Sequence, residues 1–370
     1  MNNRKIRAGA FTALATLLAL SAGSAQAVTF SCKALMDSSE QAADSQMYAS
    51  AINNRQQAVG FAFAPHEGVT EFGSAMWGKD RQAVRLNDEG DFFAVYSSAS
   101  DINDAGVAVG VVWDRASKMR ALTWTDGVLK ELPGLPGGDG AAMAASINNR
   151  GKIAGYSRKM LSTGEVVERA TLWVKGKPKD LGALKKTGES FATAINDEGM
   201  VVGYSSIAGA KAWVPARWIG GKVAALPVPD GAGGRAEAVN QTGAVVGMVS
   251  LPSEQGWRAY AWQDDAGAAM GSWPEFTSSS ARAINDGGAA VGSALVAGSD
   301  AALAMYWPTV SAQPVDLNTL VDQAGCVDAF GVRRTLTSGV DINDKGVIVA
   351  NAYEAVDGGV RSFSFRLTPR

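Results

Sequence analysis

The sequence predicts an all-β fold, a seven-bladed β-propeller of four-stranded antiparallel blades, and three observations carry that expectation. A short phrase recurs seven times: an apolar residue, Asn, a tight turn and, in six copies, an apolar-Gly pair. It places Asn53, Asn103, Asn148, Asn196, Asn240, Asn285 and Asn343 at steps of about 45 to 58 residues. In step with it, a short apolar strand ends in an aromatic residue at Trp77, Trp124, Trp173, Trp218, Trp262, Trp307 and Phe365. A small residue stands four positions before each Asn (Ala49, Ala99, Ala144, Ala192, Ala236, Ala281 and Gly339), as the crowded innermost strand of a blade requires.

The elements follow in chain order. Residues 1–27 read as a secretory signal peptide, with Arg4, Lys5 and Arg7 ahead of the apolar run Phe11 to Leu20 and a small-x-small cleavage site at Ala25-Gln26-Ala27. That run is too short to span a membrane. The mature chain, 28–370, reads as one domain, and it opens with a strand from Val28 to Leu35 that belongs to no repeat. Within a unit, Ala192 to Asn196 is a first strand, Asn196-Asp197-Glu198-Gly199 a turn and Val201 to Tyr204 a second strand. Asn closes such a turn with its own side chain, and Gly supplies positive φ. The third strand ends in the aromatic residue and a short fourth follows, as at Val128 to Leu132. The seventh unit stops after its third strand, Phe363 to Leu367, so the N-terminal strand is expected to complete the last blade and close the ring.

Cys32 lies on that N-terminal strand and Cys326 in the connection between the sixth and seventh units, and they are the only cysteines. In an oxidising compartment the pair is expected as a disulfide that locks the closure. His66, the only histidine, adds too few ligands for a metal site. Asp101 and Asp341 precede Ile-Asn-Asp-x-Gly, but Ala105 and Lys345 occupy positions where a calcium loop needs oxygen, so neither metal nor other cofactor is expected.

The chain is 46% hydrophobic with 43 glycines, enough for a large strand-rich core. Its 34 basic residues stand against 36 acidic ones, and loss of the signal segment leaves it more acidic still. Nucleic acid, which requires a basic footprint, is therefore excluded as a partner. A closed ring leaves no edge strand demanding a partner, so a monomer is expected.

At the level of whole units, the run Ala170-Thr171-Leu172-Trp173, Lys179-Asp180-Leu181-Gly182, Ser190 to Asn196 and Val202-Gly203-Tyr204-Ser205 resembles the HAF repeat family of extracellular bacterial proteins. The resemblance extends over essentially the whole mature chain. It implies a secreted or periplasmic repeat protein and carries no catalytic residues. The family's eponymous His is replaced here by Arg120, Arg169 and Arg258.

Topology places the Asn turns on one face and the longer second-to-third-strand and blade-to-blade connections on the other, where variable loops carry binding. Trp113, Trp213 and Trp257 fall in those connections, close to Arg115, Arg158 and Arg258. Together these six residues form a candidate surface for stacking on sugar rings or clamping acidic groups; as an alternative, the aromatics cover loop cores. The expected function is an extracellular binding or interaction scaffold for a glycan or protein. The competing reading is a propeller hydrolase or lyase acting on an extracellular polymer, for which the sequence supplies no nucleophile motif around His66 and no identifiable carboxylate pair.

Overall fold

The computed structural model describes residues 28–36, 46–66, 69–86, 94–114, 116–207, 213–252, 256–298, 302–322, 324–356 and 359–370. The expected leader segment, 1–27, and Arg115 lie outside them.

Seven four-stranded antiparallel sheets follow one another, each a meander from an inner to an outer strand. The inner strands are Gln46–Ile52, Ala94–Ile102, Ala142–Ile147, Ser190–Ile195, Gly233–Val239, Phe276–Ile284 and Ser338–Ile342, and they number blades 1 to 7. Blade 4 is representative: Ser190–Ile195, Val201–Ser206, Trp213–Ile219 and Lys222–Ala225. Between blades 6 and 7 the chain makes a single helical turn, Leu317–Leu320, capped by Asp316, and a two-stranded hairpin of Cys326–Val327 and Arg333–Arg334.

The recurring Gly of the second strand has a steric cause. Each inner strand carries a register shift, in blade 4 between Ala192 and Ala194, that pushes its backbone against the second strand. A Cβ at Gly203 would overlap the Phe191 carbonyl oxygen, and Gly60, Gly110, Gly155, Gly247 and Gly292 meet the equivalent carbonyl in their own blades. In blade 7 the roles exchange, with Gly339 on the inner strand opposite Ala350.

The repeat tryptophans are core, as their spacing implies. Trp77, Trp173, Trp218, Trp262 and Trp307 are all buried, and each indole also finds a polar partner in the connection entering its blade. Trp173 Nε1 donates to the Pro133 carbonyl at 2.8 Å and Trp262 Nε1 to the Pro227 carbonyl at 2.8 Å. Trp173 packs with Val109 and Ala121 of blade 2, so one side chain joins two blades by apolar burial and a hydrogen bond together.

The seam between blades 7 and 1 is held by polar side chains as well as by apolar packing. Arg366, almost fully buried, donates to the carbonyls of Gln56, Gly78 and Lys79 at 2.7 to 3.1 Å. Ser364 Oγ accepts from Ala49 N and donates to the Met47 carbonyl. The fourth strand of blade 7 is Phe30–Ala34, paired antiparallel with Gly359–Pro369. Cys32 on it is bonded to Cys326, 294 residues away, as the sequence led us to expect.

That bond crosses between the start of the chain and the hairpin before blade 7, and cross-links of such span remove on the order of 5 kcal/mol of chain entropy from the unfolded state in the simplest model. Cys32→Ala is expected to lower the thermal unfolding midpoint by 10 °C or more on the order-of-magnitude scaling for a chain of this size, measured by differential scanning calorimetry under non-reducing conditions. A midpoint unchanged from the parent protein would contradict this role.

Candidate functional site

The seven inner strands surround a central channel, and side-chain alternation along them stacks its lining in rings. Three positions before the repeat Asn, the ring is Ser50, Ser100, Ala145, Thr193, Glu237, Arg282 and Val340. One position before it stands an aliphatic belt of six isoleucines and Val239. Between that belt and the Asn-turn face lies a small polar cavity of about 150 Å³. On the other side the channel widens into a cavity of about 520 Å³ that opens towards the irregular loops.

At the Asn-turn face two closed circuits of hydrogen bonds run round the channel. Asn53 Nδ2 donates to the Asn103 carbonyl, Asn103 to Asn148, Asn148 to Asn196, Asn196 to Asn240, Asn240 to Asn285, Asn285 to Asn343 and Asn343 back to Asn53, at 2.9 to 3.2 Å. One residue on, each backbone N–H donates to the side-chain oxygen of the corresponding residue in the next blade, through Asn54, Asp104, Asn149, Asp197, Gln241, Asp286 and Asp344. The side chains of this face are consumed by architecture.

The opposite mouth is different. Aromatic rings gather in two groups around it. In the first, Tyr48 stacks on Phe61 at 5.3 Å and reaches Tyr353 at 6.4 Å, while Phe61 leads to Tyr96 at 5.8 Å and Tyr96 to Trp113 at 5.2 Å. In the second, Phe191 meets Tyr156 and Tyr204 at 5.0 Å, and Trp213 meets Phe191 and Tyr204 at 5.3 Å. Tyr48, Tyr156, Phe191 and Tyr204 line the large cavity directly. Burial raises the phenol pKa of Tyr96, Tyr156, Tyr204 and Tyr353 above its ordinary value, so all four hydroxyls stay protonated at neutral pH.

Blades 5 and 6 contribute charge instead. The Arg235 guanidinium lies 4.8 Å from the Tyr204 ring centre, Glu237 is half-buried in the channel wall, and Arg282 is exposed to the lumen. Loss of hydration raises the Glu237 carboxyl above the usual carboxylate range, opposed by the charges of Arg282 and Arg235.

Of the residues singled out by sequence, Trp113 and Trp213 join the aromatic groups at the mouth. Trp257, 36% exposed, and Arg258 are outside the channel lining, with the Arg258 guanidinium on the Trp257 and Thr277 carbonyls. Arg158 is held by Asp139 and Glu168. His66 ends the second strand of blade 1. Trp273 lies beyond the fourth strand of blade 5, against Phe276 at 5.1 Å, with Nε1 donating to the Pro314 carbonyl. Tyr48, Phe191, Glu237 and Arg282 were not anticipated. They sit five and three residues before a repeat Asn, so aligning the seven copies position by position would have exposed them as the variable, chemically rich sites of an otherwise small-residue strand. Among the described residues, no group of three His, Cys, Asp or Glu side chains could hold a metal ion, and no helix is long and apolar enough to cross a membrane.

No protein-family model matches the chain, and no curated protein matches it. Among solved structures it is similar to the β-propeller domain of the trilobed protease from Pyrococcus furiosus, at 9% identity over 74% of this chain and 96% of that one, with a TM-score of 0.41. It is also similar to TolB from Acinetobacter baumannii, at 12% identity over 85% of this chain and 80% of that one, with a TM-score of 0.42. A gluconolactonase from Xanthomonas campestris matches at 11% identity over 72% and 83% of the two chains, with a TM-score of 0.34. Likeness at this level assigns neither an activity nor a ligand.

Two half-buried carboxylates deeper in the channel tie blades together. Asp101 accepts from the backbone of Ile102 and of Ile147 in the next blade, and Asp341 from Ile342 and Ile52 in the same way. Desolvation pushes Asp341 up to about 7, with the nearby Asp101 charge adding to it. Its folded pKa thus lies above the ordinary 3.8, so the stability it contributes is fully present below pH ~4 and is lost as pH rises through about 7. We expect the parent protein to lose stability between pH 4 and 7 more steeply than Asp341→Asn, read from unfolding midpoints across that range. Parallel profiles for the two proteins would contradict the assignment.

Proposed function

We propose that this protein is an exported binding scaffold of the HAF repeat family, and that it takes its ligand, a glycan, at the aromatic mouth of the central channel. The observation that carries the reading is the concentration of rings there: Tyr48, Tyr156, Phe191 and Tyr204 face an open cavity of about 520 Å³, with Trp113 and Trp213 backing them. Aromatic faces are well suited to the apolar faces of sugars, and a cavity of this size falls in the range of small-ligand sites. The opposite mouth offers no comparable surface, because its amides and carboxylates are engaged in the two hydrogen-bond circuits. The Cys32–Cys326 bond is consistent with an oxidising, exported location.

Pull-down on a panel of insoluble and immobilised polysaccharides tests the reading. The parent protein is expected to be retained by at least one polymer, and the Tyr204→Ala, Trp213→Ala double variant to lose at least about tenfold in affinity, as the loss of two stacking rings implies. Retention undiminished in a folded double variant would place the ligand elsewhere.

A further inference from the structure

Building on the glycan reading, we infer that the channel mouth selects acidic sugars, with Arg235 and Arg282 receiving a uronic-acid carboxylate and Glu237 accepting from the hydroxyls of the same residue. The three side chains occupy the positions five and three before the repeat Asn on adjacent blades: Arg235 and Glu237 on blade 5 and Arg282 on blade 6. Glu237 and Arg282 line the large cavity together with Phe191 and Tyr204, and the Arg235 guanidinium lies over the Tyr204 ring.

The Arg235 guanidinium rests on the Tyr204 ring, and among the described residues no polar partner holds any of the three. None of them makes a hydrogen bond or an ion pair there, and the Arg235 Nε is buried with nothing to donate to. Other arginines removed from solvent have polar partners: Arg120 has Asp114 and Glu131, Arg334 has Asp328 and Glu354, and Arg366 has three carbonyls. Buried polar groups are ordinarily paired, so the unpaired Arg235 Nε, near the Glu237 carboxylate and the Arg282 guanidinium of the cavity wall, marks donors and an acceptor left for something that enters.

Charge and geometry narrow what enters. Two guanidinium groups and one carboxylate sum to a single positive charge, which complements the single charge of a carboxylated sugar. Guanidinium forks match carboxylates in a planar, two-bonded geometry. Across the channel, the hydroxyls of Ser50 and Ser100 on blades 1 and 2 line the same cavity and make no hydrogen bond among the described residues. A carboxylated pyranose would use all of these together, with its apolar face on the rings, its carboxylate on the arginines and its hydroxyls on Glu237 and the serines.

Calorimetric titration of the purified full chain with galacturonate, glucuronate and mannuronate oligosaccharides, each beside the neutral sugar of the same stereochemistry and length, tests this. At least one acidic member is expected to bind about tenfold or more tightly than its neutral counterpart, as charged hydrogen bonds imply, and the margin should shrink with salt. Arg282→Gln and Arg235→Gln should each cut that margin to about threefold or less, since each removes one charged hydrogen-bond donor. The unfolding midpoint of Arg282→Gln should stay at the parent value, since this exposed side chain makes no hydrogen bond or ion pair among the described residues. Neutral sugars binding as well as acidic ones, or an acidic preference untouched by both arginine variants, would overturn the inference and leave the glycan reading in place. Failure of every sugar to bind, together with no polymer retention, would overturn both.

Discussion

Each repeat asparagine does two jobs at once. Its Oδ1 accepts from backbone N–H groups of its own turn, as Asn53 does from Arg55 and Gln57, and its Nδ2 donates to the main chain of the following blade. The first job shapes a hairpin; the second fixes that hairpin's height and angle against its neighbour. Because the seventh side chain reaches back to Asn53, the circuit has no loose end, and an error in any one blade would be felt by its neighbours. Asn is well suited to this role: Asp has no donor for the neighbouring carbonyl, and Ser and Thr lack the reach and the second polar atom. All seven are nearly fully buried, which raises the cost of leaving any of them unpaired.

From that constraint the division of labour along the channel follows. One mouth is committed to holding blades in register, so its sequence is nearly uniform. The inner strands leave that mouth with their small residues packed between blades and their intervening positions free to face the lumen. Only those free positions vary in chemistry, from Ser50 and Ser100 to Glu237 and Arg282. Recognition can diversify there without disturbing the architecture, because the hydrogen bonds that define the ring are made elsewhere.

How much of this could be read from sequence depends on the kind of signal involved. The blade count, the buried tryptophans and the cysteine pair were legible because each rests on local repetition or on a redox rule. Trp113 and Trp213 were legible as off-register aromatics, but their partners were not: Tyr48, Tyr156, Phe191 and Tyr204 sit at repeat positions and converge only through the ring's curvature. Arg158 and Arg258 illustrate the reverse case. By sequence both are set in long connections with an exposed binding role, yet Arg158 lies on the second strand of blade 3, held by Asp139 and Glu168, and Arg258 begins the third strand of blade 5, held by backbone carbonyls. Sequence spacing reports which residues share a strand face; it does not report which charges already have partners.

The most direct test of the asparagine circuit is the stability of Asn196→Asp, measured by urea unfolding at neutral pH. The substitution preserves the oxygen that accepts from Met200 N within the turn, and replaces the nitrogen that donates to the Asn240 carbonyl at 3.1 Å with an oxygen that cannot. If the link between blades is what the fold depends on, the variant loses about 2–3 kcal/mol, the cost of a buried polar pair broken on one side. A variant as stable as the parent would show that the turns alone suffice and that the circuit is a consequence of the ring rather than its cause.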